Sequence, residues 1–207
     1  MSSLQCPARI FLARHGEAEY ETTLVTDDGG SLTGRGREQS RALADRLRGE
    51  RIARVWSSPL SRAVQTAEIA AAALGVDVVV REGLREYGVG SLAGTDADEA
   101  ATIDPVFRAW TEGDDSATIP GGESIAGIVD RVRAVLQEIA DAHPGEAVLV
   151  VAHGGTIQMS LPELVGRPRS AAYGFVLPGG GAITLEADAD GWRLVPWDLD
   201  HDEVRLP

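Results

Sequence analysis

The chain has 207 residues, 43% of them apolar and 25% charged, which is the size and balance of one globular domain spanning 1–207. A formal net charge of -13 argues against nucleic acid or an anionic membrane as a partner, and no apolar run approaches the roughly 18 residues of a membrane span. A single cysteine, Cys6, excludes an intrachain disulfide. The first apolar stretch, 8–13, is broken by Arg9 and too short for a signal-peptide core, so a soluble cytoplasmic protein is expected.

Residues 9–13 predict a short buried strand, and 36–49 predict an amphipathic helix ending at Gly49. A second strand is expected at 54–56. Ser58 and Pro59 then predict a helix start, with Ser58 as N-cap and Pro59 at the first helical position. Alanines carry that helix to Leu74, where Gly75 stops it. The β-branched run 76–80 predicts a third strand. The Gly- and Asp-rich stretch 113–122 predicts a loop.

Ile125, Ile128, Val129, Val132, Val135, Leu136 and Ile139 repeat at helical spacing and predict one buried stripe. Residues 147–151 are apolar throughout, as suits a central strand covered on both faces. A shorter helix near 156–165 and strands at 173–177, 182–186 and 192–195 complete the chain. Strands alternating with helices predict an α/β/α sandwich of three layers with a mostly parallel central sheet.

In such folds ligands sit at the carboxyl ends of the strands. His15 follows the first predicted strand and His153 the strand at 147–151, so both are placed at the same sheet edge. Each is followed by glycine, Gly16 in one case and Gly154-Gly155 in the other, which permits close approach of backbone and ligand. Arg14 precedes His15. Arg62 lies near the start of the helix after Ser58, where free N–H groups and the dipole already favour anions. Two arginine forks beside two histidines match the oxygens of a phosphate. His143, before Pro144-Gly145, is expected to cap a helix end, and His201 to be exposed in an acidic tail.

Leu12-Ala13-Arg14-His15-Gly16-Glu17 resembles the Arg-His-Gly motif of the histidine phosphatase superfamily, also called the phosphoglycerate mutase-like family. The segments 57–67, with Ser57-Ser58-Pro59 and Arg62, and 84–94, with Glu86, Gly90 and Gly94, are similar to its second and acid-bearing motifs. Residues 120–124 and 151–155 resemble its last two, so five motifs stand in the family's order from about Ile10 to Gly166. The resemblance implies that His15 is the nucleophile that takes the phosphoryl group. It implies that Arg14, Arg62 and His153 hold the phosphate oxygens, and that Glu86 gives a proton to the leaving alcohol and then activates water. Glu86 would need burial or the substrate's charge to hold that proton. The Gly154 N–H and the Thr33 hydroxyl are further candidates for a phosphate oxygen, and Thr33 suits the N-cap of the following helix equally well. A backbone carbonyl is expected to fix the His15 tautomer.

Two departures stand out. Where the family usually has threonine and asparagine after Arg-His-Gly, this chain has Ala18 and Glu21, and a glutamate inside the pocket would repel phosphate. No cofactor and no metal are expected: ligand spacing such as His-Glu-x-x-His is missing, and two arginines would repel a cation. The expected activity is hydrolysis of a small phosphorylated metabolite through a phosphohistidine. Phosphoglycerate mutation and non-catalytic phospho-ligand binding are the competing readings. The segment 95–121 and the loop after Arg-His-Gly would set specificity. Core packing is the expected role of Phe107 and Trp110, and a homodimer is left open.

Overall fold

The computed structural model describes residues 6–21, 23–26, 28–96, 103–172, 175–188 and 191–195. The chain opens with strand β1 (Ala8–Arg14), a two-residue pair β2 (Ala18–Glu19) and β3 (Ser31–Leu32), and helix α1 (Gly34–Leu47). Strand β4 (Ile52–Ser57), helix α2 (Ser61–Leu74) and strand β5 (Val78–Val80) follow. Helices α3 (Ile103–Glu112) and α4 (Ile125–Ala142) lead to strand β6 (Ala147–Ala152) and helix α5 (Gly154–Leu164). Strands β7 (Ala182–Asp188) and β8 (Gly191–Val195) close the described chain.

Six strands form one sheet in the order β5-β4-β6-β1-β7-β8. β5, β4, β6 and β1 pair in parallel, and β7 is antiparallel to both neighbours, so the sheet is mostly parallel as expected. Successive strand residues point to opposite faces. On β1 and β6 that puts Ile10, Leu12, Val148 and Val150 on one side, packed with Val132, Leu136 and Ile139 of α4 and Ile157 and Leu161 of α5. Phe11, Ala13, Leu149 and Val151 face the other side, with Leu43, Ala44 and Leu47 of α1 and Ala63, Ala67 and Ala70 of α2. From Ile10 to Ala13 and from Val148 to Val151 the strands are apolar at every position because both faces are covered. Burying each large side chain contributes roughly 1.5–3 kcal/mol.

Two expectations need correction. Ser58 is not the N-cap of α2: the helix begins at Ser61 and Leu60 occupies the cap, while the Ser58 hydroxyl accepts from the Leu60 N–H at 3.2 Å. No strand forms at 175–177, and Tyr173 lies outside the described residues. Helix α3 is not among the expected elements; it ends at Glu112, and 113–122 forms a loop as expected. Trp110 of α3 is fully buried against Ile125, Ile128 and Met159 and donates from Nε1 to the Ala117 carbonyl at 2.7 Å. Phe107 packs on the same cluster, so both aromatics belong to the core as expected. Helix α1 starts two residues early because Thr33 caps it, its hydroxyl accepting from the Gly36 N–H at 3.0 Å.

Candidate active site

The parallel ladder runs one residue beyond β1, since the His15 N–H donates to the Ala152 carbonyl at 3.0 Å. That step delivers Arg14 and His15 to the carboxyl edge of the sheet beside the end of β6. The Gly16 N–H then donates to the Thr66 hydroxyl at 3.0 Å, and Thr66 in turn donates to the Arg62 carbonyl at 2.8 Å. The first turns of α2 are thereby tied to the exit of β1.

His15 is 7% exposed, and its Nδ1 lies 2.7 Å from the Gly16 carbonyl. A carbonyl only accepts, so Nδ1 carries the proton and Nε2 keeps its lone pair. Among the described residues Nε2 makes no hydrogen bond. Burial lowers the His15 pKa to about 4, and the Arg62 and Arg14 guanidiniums add to the effect against the opposing pull of the Gly16 carbonyl. The ring is therefore a neutral imidazole at any ordinary pH.

His153 stands directly behind, fully buried, with ring centroids 5.1 Å apart. Its Nε2 shares a hydrogen bond of 2.7 Å with the Ser58 hydroxyl. Its Nδ1 is buried with no protein partner among the described residues. Burial first, then Arg62 and His15, hold His153 far below the ordinary histidine range, so it too is neutral.

Arg62, at the second position of α2, is 2% exposed, donates to the Gly29 carbonyl at 2.8 Å and lies 5.5 Å above the centre of the Tyr20 ring. Arg14 donates to the Leu177 carbonyl at 3.0 Å, while its Nε is buried with no partner among the described residues. Two guanidiniums thus sit beside a neutral imidazole.

Glu86 reaches the site from the other side and is gripped by the N-terminus of α5. Its carboxylate accepts from the Gly155 N–H at 3.2 Å, the Thr156 N–H at 2.7 Å and the Thr156 hydroxyl at 2.8 Å. Gly155 is needed here, and Gly154 leaves little room. A Cβ on Gly155 would sit 2.4 Å from the Tyr87 ring and 3.1 Å from Glu86 Oε1, and one on Gly154 would sit 3.2 Å from Arg14 Nε.

These residues converge, with His153 fully buried behind His15 rather than among the lining residues. Arg14, His15, Arg62, Glu86 and Gly154 all line one cavity of about 510 Å³, within the range of small-molecule sites. Thr33 does not line it. Its hydroxyl caps α1 and donates to Glu17 at 2.8 Å. Glu21 is exposed and is likewise not among the lining residues. Tyr20, one residue before, takes the place beside Arg62. Sequence reasoning missed Ser58 as the partner of His153, Thr156 as the holder of Glu86, and Tyr20 and Tyr87 as cavity walls. A serine hydroxyl between a strand end and a helix start reads as a cap, and only the fold brings His153 to it. His143 caps α4 as expected, and His201, Asp98 and Glu99 lie outside the described residues.

Residues 10–200 match the family model of the histidine phosphatase superfamily (branch 1). The chain is 36% identical over 203 residues to phosphoglycerate mutase-like protein 4 of Arabidopsis thaliana, covering 95% of this chain and 87% of that one. Its fold is similar to that of a mycobacterial glucosyl-3-phosphoglycerate phosphatase, with a TM-score of 0.77, 27% identity, and 93% and 99% of the two chains covered. A phosphoserine phosphatase of Entamoeba histolytica, solved with 3-phosphoglyceric acid, matches with a TM-score of 0.75 and 25% identity over 91% and 95% of the two chains.

Proposed function

The chain belongs to the histidine phosphatase superfamily, branch 1, and from that membership we propose that it hydrolyses small phosphate monoesters through a phosphoryl group carried on His15. The observation that carries the reading is the His15 ring. It is kept neutral and held by the Gly16 carbonyl through Nδ1, which leaves Nε2 to attack, with two guanidiniums beside it.

Nε2 attacks phosphorus as the ester P–O bond breaks. Glu86 supplies a proton to the departing alkoxide, so the alcohol leaves neutral. Water then attacks the phosphohistidine, Glu86 takes its proton, the P–N bond breaks and inorganic phosphate is released. The charge of the loose transition state spreads over three equatorial oxygens, so fixed cations and donors do most of the catalytic work. Arg14 and Arg62 are assigned to those oxygens. Gly154 is assigned through its N–H, and His153 through the Nδ1 that has no protein partner among the described residues. Thr33, which is engaged in capping α1, is left out of the assignment. Arg14 and Arg62 would repel a cation, so activity is expected to survive dialysis against a chelator.

Mutase chemistry would require the phosphohistidine to survive in water and a second anionic group to be held. Segment 95–121 brings only Arg108 as a cation, and that residue is exposed and does not line the cavity. The test supplies 3-phosphoglycerate with catalytic 2,3-bisphosphoglycerate and follows 2-phosphoglycerate and free phosphate together. Release of phosphate, with little isomerisation, is expected. Rapid isomerisation with little phosphate released would overturn the hydrolase assignment.

A further inference from the structure

Among the described residues the exposed large apolar side chains are Tyr20, Leu24, Val80 and Val176. Single exposed apolar residues are ordinary on any protein surface. Here three of the four, Tyr20, Leu24 and Val176, line the cavity that holds His15, with Val176 62% exposed at its mouth. Tyr87 adds a second aromatic wall. Exposed apolar side chains gathered around one opening mark a binding surface.

The charges show the same preference. Arg14, Arg62 and Glu86 are the charged residues that line this cavity among the described residues, and the first two flank the nucleophile. Three further arginines are engaged elsewhere, among them Arg35, which lines an adjoining cavity with Arg14, His15 and Tyr20 and lies 3.8 Å from Glu17. Arg85 pairs with Asp28 and Glu82, and Arg131 makes a two-pronged bond to Glu123 at 2.7 and 2.9 Å while also donating to the Gly83 and Arg85 carbonyls. A carboxylate or second phosphate on a leaving group lying along Tyr20, Leu24 and Val176 would lose its water there and gain no cation from that wall in return.

On the phosphomonoesterase reading above, we propose that the substrate is the phosphate ester of an uncharged, predominantly apolar alcohol, whose organic portion rests on Tyr20, Leu24 and Val176. The phosphate supplies the charge that Arg14 and Arg62 recognise, and the rest of the molecule supplies buried area.

The experiment measures kcat/KM for hexyl phosphate and for 6-(phosphonooxy)hexanoate. Both release a primary alkoxide of similar basicity and differ at the far end of the chain. Hexyl phosphate should be favoured by about tenfold or more, the scale of one misfitting group in a pocket. From ethyl to hexyl phosphate, kcat/KM should climb by up to about fourfold for each methylene that is buried. Val176→Lys places a cation at the mouth and should move the ratio toward the carboxylate ester by about fivefold. If the carboxylate ester is used as well as hexyl phosphate or better, or if Val176→Lys leaves the ratio where it was, the substrate class is wrong and phosphatase activity stands. If neither ester releases phosphate and no other phosphomonoester does, the hydrolase reading itself has failed.

Discussion

His15 and His143 are both 7% exposed, and each lies against another ring, His153 at 5.1 Å for the first and Trp56 at 5.9 Å for the second. What separates them is where their nitrogens go. His143 ends α4 with both nitrogens occupied by the protein: Nδ1 is 2.7 Å from Glu146, and Nε2 is 3.3 Å from Trp56 Nε1. His15 has one nitrogen fixed by a carbonyl, and among the described residues the other makes no hydrogen bond. Burial alone does not separate the two. A nitrogen left to a cavity between two guanidiniums does.

The sharpest way to break this comparison is His15→Ala. Turnover is expected to fall on the order of 10⁴-fold or more, as when other covalent nucleophiles are removed. The acid-labile phosphoenzyme, trapped by rapid denaturation after mixing with labelled ester, should vanish with it. Near-normal rates in this variant would remove His15 from the mechanism.

Glu86→Gln comes next. General acid catalysis is typically worth ~10²–10⁴-fold, and it matters most when the leaving group is a poor one. Alkyl phosphates should therefore slow far more than nitrophenyl phosphate, whose phenolate departs without help. Equal slowing of the two classes would leave Glu86 as a structural plug for the N-terminus of α5, where it already accepts from Gly155 and Thr156.

Much of this is legible in the sequence. β1 and β6 are short apolar runs with a histidine one residue beyond, and the strand-end rule alone places His15 and His153 together. Arg62 is legible as well, although Ser58-Pro59 points to a helix start three residues before the true one at Ser61. Ser58 belongs to the His153 hydrogen bond and lies three residues before the first turn of α2. Helix α3 went unread because its apolar positions, Val106, Phe107 and Trp110, sit among carboxylates and threonine, and their partners on α4 and α5 are distant in sequence. The α5 grip on Glu86 pairs residues about seventy positions apart, which no local pattern encodes.

A third test uses acid. In the unfolded chain His15 would titrate near 6.5, and in the folded protein near 4. Between these values the unfolded state binds the proton first. Its contribution to stability is therefore fully present above pH 6.5 and is lost as pH falls toward 4. Nitrogen NMR of histidine-labelled protein at pH 5.5 should show His15 neutral, with its proton on Nδ1. A His15 titration near 6.5 would mean that the ring is not desolvated and that the two guanidiniums do not act on it. Below about 4 the protonated ring has no lone pair, and kcat/KM should drop about tenfold per pH unit.

The smallest expected effect lies on the other side of the comparison. His143→Ala removes the acceptor of Trp56 Nε1, and Trp56 is 4% exposed, so an indole N–H is left buried without its partner. That costs about 1–3 kcal/mol of stability, which for a chain of this size lowers Tm by roughly 2–4 °C per kcal/mol. The Trp56 ring keeps its contact with the Arg81 guanidinium at 4.8 Å, and the core on that face of the sheet remains, so the fold should survive. His143 touches none of the residues that line the His15 cavity in the hydrogen bonds and ring contacts described above. Its loss should therefore leave kcat/KM within about twofold of the parent well below Tm, at a pH and temperature where both proteins are folded. Urea unfolding and steady-state rates on the same preparations check both halves. A tenfold fall in kcat/KM with an unchanged unfolding midpoint would show that a histidine with both nitrogens occupied also serves the chemistry, and the contrast with His15 would not hold.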